Sequence, residues 1–196
     1  MKIKKILLIF LIYLLNFAPS YSIEPDIFVQ STVNRASKLL SENISKDEKI
    51  KELRKIAKDT VDIKGIGFYT LGSTRKTITD KQKTEYLLLF EEYFLKSFSS
   101  RLAEYTNPEI DVYNKDVLNK NYTIVNSTLK ATSERPEIKI DWRIYTKDPS
   151  NPLIRDLIIE GLSLARTQKE EFASVLSSNN GDINSLFKTL KAFSND

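Results

Sequence analysis

The sequence predicts an α+β fold in which helices pack against a single antiparallel sheet. Apolar residues recur every three or four positions up to about residue 106, then alternate with polar residues between 109 and 159. Helical spacing returns after Gly161. This order of helices, closely spaced strands and further helices is typical of an α+β domain with an antiparallel meander of about four strands. One face of such a sheet must be buried by other elements.

The N-terminal residues predict a secretory signal peptide over 1–22. Three lysines lie in the first five positions, and residues 6–15 form an unbroken apolar run. A spanning helix needs about 20 apolar residues, so this run is too short to cross a membrane. Small residues place the cleavage site after Ser20 or Ser22. We therefore expect one mature domain, 23–196, outside the cytoplasm, and an uncleaved anchor is the alternative.

Helix-start signals predict the first three elements of the mature chain. Pro25 begins the first helix, and Ser45 with Glu48 forms a capping box for the second. Residues 61–72 predict a short helix or irregular turn that ends at Gly72. The apolar positions that repeat at helical spacing in the first two helices are Val29, Val33, Ala36, Leu40, Ile50, Leu53, Ile56 and Ala57.

The longest predicted helix covers residues 80–106. Thr79 with Gln82 forms a second capping box at its start, and Pro108 prevents it from continuing. Its apolar face is Leu87, Phe90, Phe94, Phe98, Leu102 and Tyr105.

Alternation predicts four strands at 109–117, 121–133, 137–147 and 152–159. The third is the clearest, because apolar residues alternate with polar ones along its whole length. The apolar set is Ile138, Ile140, Trp142 and Ile144, and the alternating set is Lys139, Asp141, Arg143 and Tyr145.

Two helices are predicted to close the chain. The first follows a glycine corner at Gly161 and ends at Gly181. Asp182 can cap the second. Their apolar faces are Leu164, Phe172, Val175, Leu176, Ile183, Leu186, Phe187 and Leu190.

The composition excludes several kinds of chemistry. The chain has no His and no Cys, so Ser–His–Asp and Cys–His sites, and zinc sites built on those residues, are impossible. No glycine-rich phosphate-binding motif is present. Residues 1–22 hold three of the 30 basic residues and none of the 26 acidic ones, so their removal lowers the net charge from +4 to +1. That balance does not favour nucleic-acid binding. We predict no catalytic residues, metal or cofactor.

Two sets of residues over about 26–193 form a recognisable pattern. The set in the first half is Asp62, Leu71, Gly72, Thr79, Gln82, Phe90, Phe94, Leu102 and Tyr105. The set at the strand-to-helix corner is Asp156, Glu160, Gly161, Ser163, Leu164 and Phe172. In this order and spacing they resemble the MlaC family of phospholipid-binding proteins, also called toluene-tolerance proteins.

This resemblance implies an NTF2-like fold, with helices wrapped on a twisted sheet around an internal apolar pocket. It implies a periplasmic carrier that takes the acyl chains of a glycerophospholipid and leaves the headgroup near solvent. The implied partners are an outer-membrane lipoprotein–porin complex and an inner-membrane ABC transporter, in a system that maintains outer-membrane lipid asymmetry. We expect a monomer.

Candidate pocket residues follow from the resemblance and from the apolar faces, although ordinary core packing explains the same pattern. Arg75 and Arg166 are weaker candidates for the headgroup phosphate. The candidate lining residues are Leu71, Leu87, Phe90, Phe94, Phe98, Val125, Leu129, Trp142, Tyr145, Ile158, Leu164 and Phe172.

Two other functions remain open at this point. One is an NTF2-like enzyme that uses Asp141 or Asp156 with Tyr145. The other is a binding protein for small hydrophobic solutes.

Overall fold

A computed structural model of the chain describes residues 22–133 and 135–195. The predicted signal peptide lies outside these residues, except for Ser22. The α+β class is confirmed. The helices in the described part are α1 (Pro25–Ser41), α2 (Lys46–Thr60), α3 (Ile63–Thr70), α4 (Asp80–Leu102), α5 (Leu164–Ser177) and α6 (Ile183–Asn195), with a 3₁₀ turn at Gly72–Lys76. The strands are β1 (Ile110–Asn119), β2 (Tyr122–Leu129), β3 (Ile138–Tyr145), β4 (Leu153–Ile159) and β5 (Leu162–Ser163).

Both predicted capping boxes are confirmed. The Ser45 hydroxyl accepts a hydrogen bond from the Glu48 backbone N–H at 3.2 Å, and the Glu48 carboxylate accepts one from the Ser45 backbone N–H at 3.0 Å. Thr79 and Gln82 make the same reciprocal pair at the start of α4. These pairs satisfy backbone donors that the first turn of a helix leaves free.

Among the described residues the sheet has five strands, not about four. They pair antiparallel in the order β1-β2-β3-β4-β5, and the extra strand is the two-residue β5, which folds back on the end of β4. This strand was not predicted, because its two residues directly follow the glycine corner and are too few to show an alternating pattern. Gly161 supplies that corner with a φ of 82°, a conformation that favours glycine.

Two predicted elements are too long. The helix predicted to reach residue 106 ends at Leu102, because the N–H groups of Glu104 and Tyr105 bond to carbonyls three residues earlier instead of four. The strand predicted to reach residue 133 ends at Leu129, beyond which the pairing with β3 stops. In both cases the apolar or alternating pattern continues past the last residue of the element.

One face of the sheet carries most of the core. Val125 lies opposite Trp142, and the residues two positions along on each strand lie on the same face. An irregularity between Arg143 and Ile144 inserts one extra residue in β4, which shifts the alternation there. This inner face packs with apolar side chains of all six helices into one buried cluster. None of the described helices has the length and apolarity needed to cross a membrane.

Candidate functional site

The centre of the core is a group of aromatic rings around Phe90. Its ring lies 5.7 Å from that of Tyr86 and 6.2 Å from that of Phe172, measured between centroids. Phe94 continues the group at 6.1 Å from Phe90, and Phe98 stacks on Phe94 at 5.6 Å. These spacings are those of aromatic side chains in contact. The rings come from α4 and α5, so the group lies where these two helices meet the rest of the core.

The structure brings nine of the predicted lining residues into this one cluster. Six are buried, with at most 8% of the residue exposed: Leu71, Phe90, Val125, Leu129, Trp142 and Phe172. Three are half-buried and pack against the cluster: Leu87, Phe94 and Phe98. They come from the 3₁₀ region, α4, the inner face of the sheet and α5, so sequence-distant segments converge on the same interior.

The other three predicted lining residues lie elsewhere. Tyr145 and Ile158 are on the outer face of the sheet, and the Tyr145 ring contacts the Arg155 guanidinium at 4.1 Å and the Tyr122 ring at 5.3 Å. Leu164, the first residue of α5, is 39% exposed. The shifted alternation in β4 explains why Ile158 lies on the outer face. A strand without the extra residue would place Ile158 on the same face as Ile154.

The polar atoms of the interior bond to one another. The Trp142 indole N–H donates to the Ser127 hydroxyl at 2.8 Å, and that hydroxyl donates to the Ile140 carbonyl at 2.9 Å. The hydroxyls of Thr70 and Tyr86 are also paired, at 2.8 Å. Because these buried polar groups are paired with one another, the rest of the interior surface consists of carbon atoms.

The tyrosine hydroxyls of this interior are uncharged at physiological pH. Burial raises the pKa of the Tyr86 phenol, and it raises that of Tyr93, whose hydroxyl donates to Gln168 at 2.8 Å. Asp156 is the one buried charged residue among those described. Its carboxylate accepts hydrogen bonds from the Ser163 hydroxyl at 2.6 Å and the Ala165 backbone N–H at 3.0 Å. Within residues 22–133 and 135–195, no three carboxylates converge as a metal site requires.

Two shallow hollows lie on the outside of the helical layer. One, of about 430 Å³, runs along α1 past Ile27 and Lys38. The other, of about 420 Å³, lies between α4 and α6 beside Glu85 and Phe187. Both are open to solvent, and neither is lined by a predicted pocket residue. Nine of the predicted lining residues instead pack together in the core.

The two candidate headgroup residues are exposed and lie on neighbouring elements. Arg75 is in the 3₁₀ turn, and Arg166 is in the first turn of α5. The turn lies against α5, because a Cβ atom added to Gly72 would come within 3.3 Å of the Lys169 side chain. Lys169 is three residues after Arg166, so these basic residues share one region of the surface.

Several interior residues were not among the candidates. Tyr86, Leu95 and Ile144 are each 0% exposed, and Ile140 is 8% exposed. Their signal was available in the sequence: Ile140 and Ile144 alternate in phase with Trp142, and Tyr86 precedes Phe90 by one helical turn.

Comparisons with known proteins agree with this geometry. The model of the MlaC family, described as MlaC protein, matches residues 30–192. No curated protein sequence matches the chain. A solved phospholipid-binding protein from Ralstonia solanacearum, in complex with a phospholipid, has the same fold, with a TM-score of 0.74 at 18% sequence identity. The match covers 88% of this chain and 97% of that one. Because the family model covers most of its length, the chain belongs to the MlaC family.

Proposed function

We propose that this protein is a periplasmic phospholipid carrier. It is exported with a cleaved signal peptide and acts as a monomer. It moves lipid between an outer-membrane lipoprotein–porin complex and an inner-membrane ABC transporter, which maintains the lipid asymmetry of the outer membrane. The observation that carries the proposal is an interior rich in aromatic and aliphatic side chains in a member of the MlaC family. The phospholipid in the structurally similar Ralstonia protein supports the same ligand class.

A phospholipid carrier must shield a large apolar surface from water. Each methylene group moved from water into an apolar environment gains about 0.8 kcal/mol, so two chains of about 16 carbons gain about 25 kcal/mol in gross terms. Each polar group of the lining that is left without a partner would offset about 2–7 kcal/mol of that gain. The paired hydroxyls of Tyr86 and Thr70, and the bonded indole of Trp142, avoid that cost.

Binding requires the interior to expand. The aromatic rings around Phe90 contact one another, so an acyl chain enters by replacing ring–ring contacts with ring–lipid contacts. We assign the acyl chains to the nine predicted residues that share the core. We assign the headgroup phosphate to the exposed region of Arg75 and Arg166, where solvent remains accessible.

The proposal is tested by mass spectrometry of the intact protein, purified without detergent from the periplasm of a Gram-negative host. We expect one phospholipid per chain, and we expect a lipid-free preparation to regain it from phospholipid vesicles. A chain that carries no phospholipid in either preparation contradicts the proposal. Displacement of bound phospholipid by toluene would favour a binding protein for small solutes instead.

A further inference from the structure

The helical layer and the sheet are joined by different kinds of contact at the two sides of the sheet. At β4 the contacts involve backbone atoms and partly buried charges. At the second half of β1 they involve partly exposed side-chain charges and, among the described residues, no backbone atoms of the strand. Since lipid entry requires the layers to separate, this difference indicates which side moves.

On the β4 side, one strand is tied to the starts of two helices. The Asp62 backbone N–H donates to the Ile154 carbonyl at 2.9 Å, immediately before α3. The Arg155 Nε donates to the Asp62 carboxylate at 2.6 Å, and Asp156 holds the start of α5 through Ala165. Buried and charge-assisted hydrogen bonds of this kind are costly to break. We therefore expect β4 to stay fixed to α3 and α5.

On the β1 side, a single lysine makes two partly exposed ion pairs with α1 and the residue before it. The Lys115 Nζ lies 2.5 Å from a Glu24 oxygen and 2.7 Å from an Asp26 oxygen. These side chains are 33%, 61% and 35% exposed, respectively. Exposed pairs contribute little to stability and are screened by salt. We call these three residues the ionic clasp.

The half of β1 that carries Lys115 adds little else to the fold. Within this fully described strand, the side chains after Val112 do not belong to the buried core. Val117 and Leu118 are 74% and 54% exposed. The pairing with β2 is irregular at two places, and β1 is an edge strand. A second link, from the Ser37 hydroxyl to the Pro108 carbonyl at 2.9 Å, lies at the opposite end of α1.

We propose that the ionic clasp closes the lipid-binding interior, and that its release lets the β1 side of the sheet move away from α1 while β4 stays attached. The inference rests on the proposed function, because it concerns how lipid reaches the same interior. It requires no rearrangement among α2, α4 and α6.

The absence of cysteine from the natural sequence makes the test direct. The double variant Asp26→Cys/Lys115→Cys is cross-linked with a short bismaleimide. This reagent is preferred to a disulfide, which requires the two Cα atoms to lie within about 7 Å of each other. The matched control joins Lys58→Cys and Glu91→Cys, which form an exposed ion pair at 2.8 Å between α2 and α4. Circular dichroism verifies that both variants are folded.

The first measurement is the rate at which lipid-free protein takes up fluorescent phospholipid from vesicles. The Asp26–Lys115 cross-link is expected to slow uptake by about tenfold or more, because the closed form can no longer open at this side. The same variant without cross-linker is expected to take up lipid at least as fast as the unmodified protein. The cross-linked control is expected to take up lipid at the rate of the unmodified protein. Equal rates for the two cross-linked proteins would overturn the inference.

The second measurement needs no lipid. Trp142 is the one tryptophan of the chain and lies on the inner face of the sheet, so quenching by acrylamide reports opening. The Asp26–Lys115 cross-link is expected to reduce that quenching, and the control cross-link is expected to leave it unchanged. If no form takes up phospholipid, the proposed function fails. The quenching then decides the inference alone, and equal quenching in the two cross-linked proteins would overturn it.

Discussion

The Asp156 carboxylate accepts a hydrogen bond from the Ala165 backbone N–H at 3.0 Å, which fixes the start of α5 to the fourth strand of the sheet. The second carboxylate oxygen accepts from the Ser163 hydroxyl at 2.6 Å, and Ser163 in turn accepts from the Arg166 N–H at 3.1 Å. A negative charge at a helix N-terminus is favourable, because the first N–H groups of the helix point toward it. Asp156 therefore has a structural role that explains its burial.

We expect Asp156→Asn to lower the free energy of unfolding by about 1–3 kcal/mol, because the buried hydrogen bonds lose their charge. Asp141→Asn is the control. Asp141 is half-exposed on the outer face of the sheet and accepts from Asn126, so its replacement is expected to cost less. Urea unfolding measures both. Equal losses would contradict the structural role, and a turnover abolished by Asp156→Asn would revive the enzyme alternative.

Gly65 lies where any side chain would disturb the Arg155–Asp62 pair. A Cβ atom at this position would come within 2.5 Å of both the Arg155 Nε and an Asp62 carboxylate oxygen. Alanine favours a helix over glycine by about 1 kcal/mol, yet we expect Gly65→Ala to destabilise the protein because of this collision. Thermal unfolding of a double-mutant cycle with Arg155→Ala provides the check. The penalty should become smaller in the Arg155→Ala background, where only the Asp62 contact remains, and a penalty of the same size there would refute the role of Arg155 in the collision.

Substitutions at two positions on α4 distinguish the loss of a lipid contact from a general effect on the helix. Phe94 is half-buried beside Phe90 and Phe98, whereas Leu88 is 67% exposed. We expect Phe94→Ala to weaken phospholipid retention, measured as lipid per chain after dilution into lipid-free buffer. Leu88→Ala should retain lipid like the unmodified protein. Similar retention by the two variants would remove Phe94 from the proposed lining.

The phenol of Tyr86 predicts a specific response to alkaline pH. Burial raises its pKa in the folded protein, whereas the unfolded chain ionises near the usual value of about 10. The unfolded state therefore binds fewer protons above that pH, and stability falls as the pH rises, by up to about 1.4 kcal/mol per unit from this group.

Urea unfolding at pH 8 and pH 11 tests this dependence. Tyr86→Phe should lose less stability between the two pH values than the unmodified protein, because it lacks the ionising group. Tyr113→Phe is the control, since Tyr113 is 61% exposed and should keep the original dependence. An unchanged pH dependence in Tyr86→Phe would show that this phenol ionises without unfolding.

Local signals in the sequence predicted much of the fold. Ser45 with Glu48, and Thr79 with Gln82, mark helix starts through short-range hydrogen bonds that depend on a few adjacent residues. The register irregularity beside Arg143 depends on how two strands pair, and alternation within β4 alone placed Ile158 with Ile154. Such a shift is a property of the pair of strands, so the single-strand pattern could not show it.

The site was predictable in outline and not in detail. Helical spacing and alternation placed Phe90 and Trp142 on inward faces, and both are buried. The same patterns describe a side chain that fills a core and one that lines a pocket, because both face away from water. Contacts between rings, such as Phe90 with Phe172, depend on the packing of distant segments and appear only in the structure.

The most direct test of the proposed carrier function uses the fluorescence of Trp142, which lies opposite Val125 on the inner face of the sheet. Lipid-free protein is loaded with phospholipid brominated along its acyl chains, and with the same phospholipid without bromine. Bromine quenches tryptophan at short range, so the account predicts strong quenching by the brominated lipid and none by the other. Equal fluorescence in two samples that each hold one phospholipid per chain would place the lipid outside this interior and contradict the account.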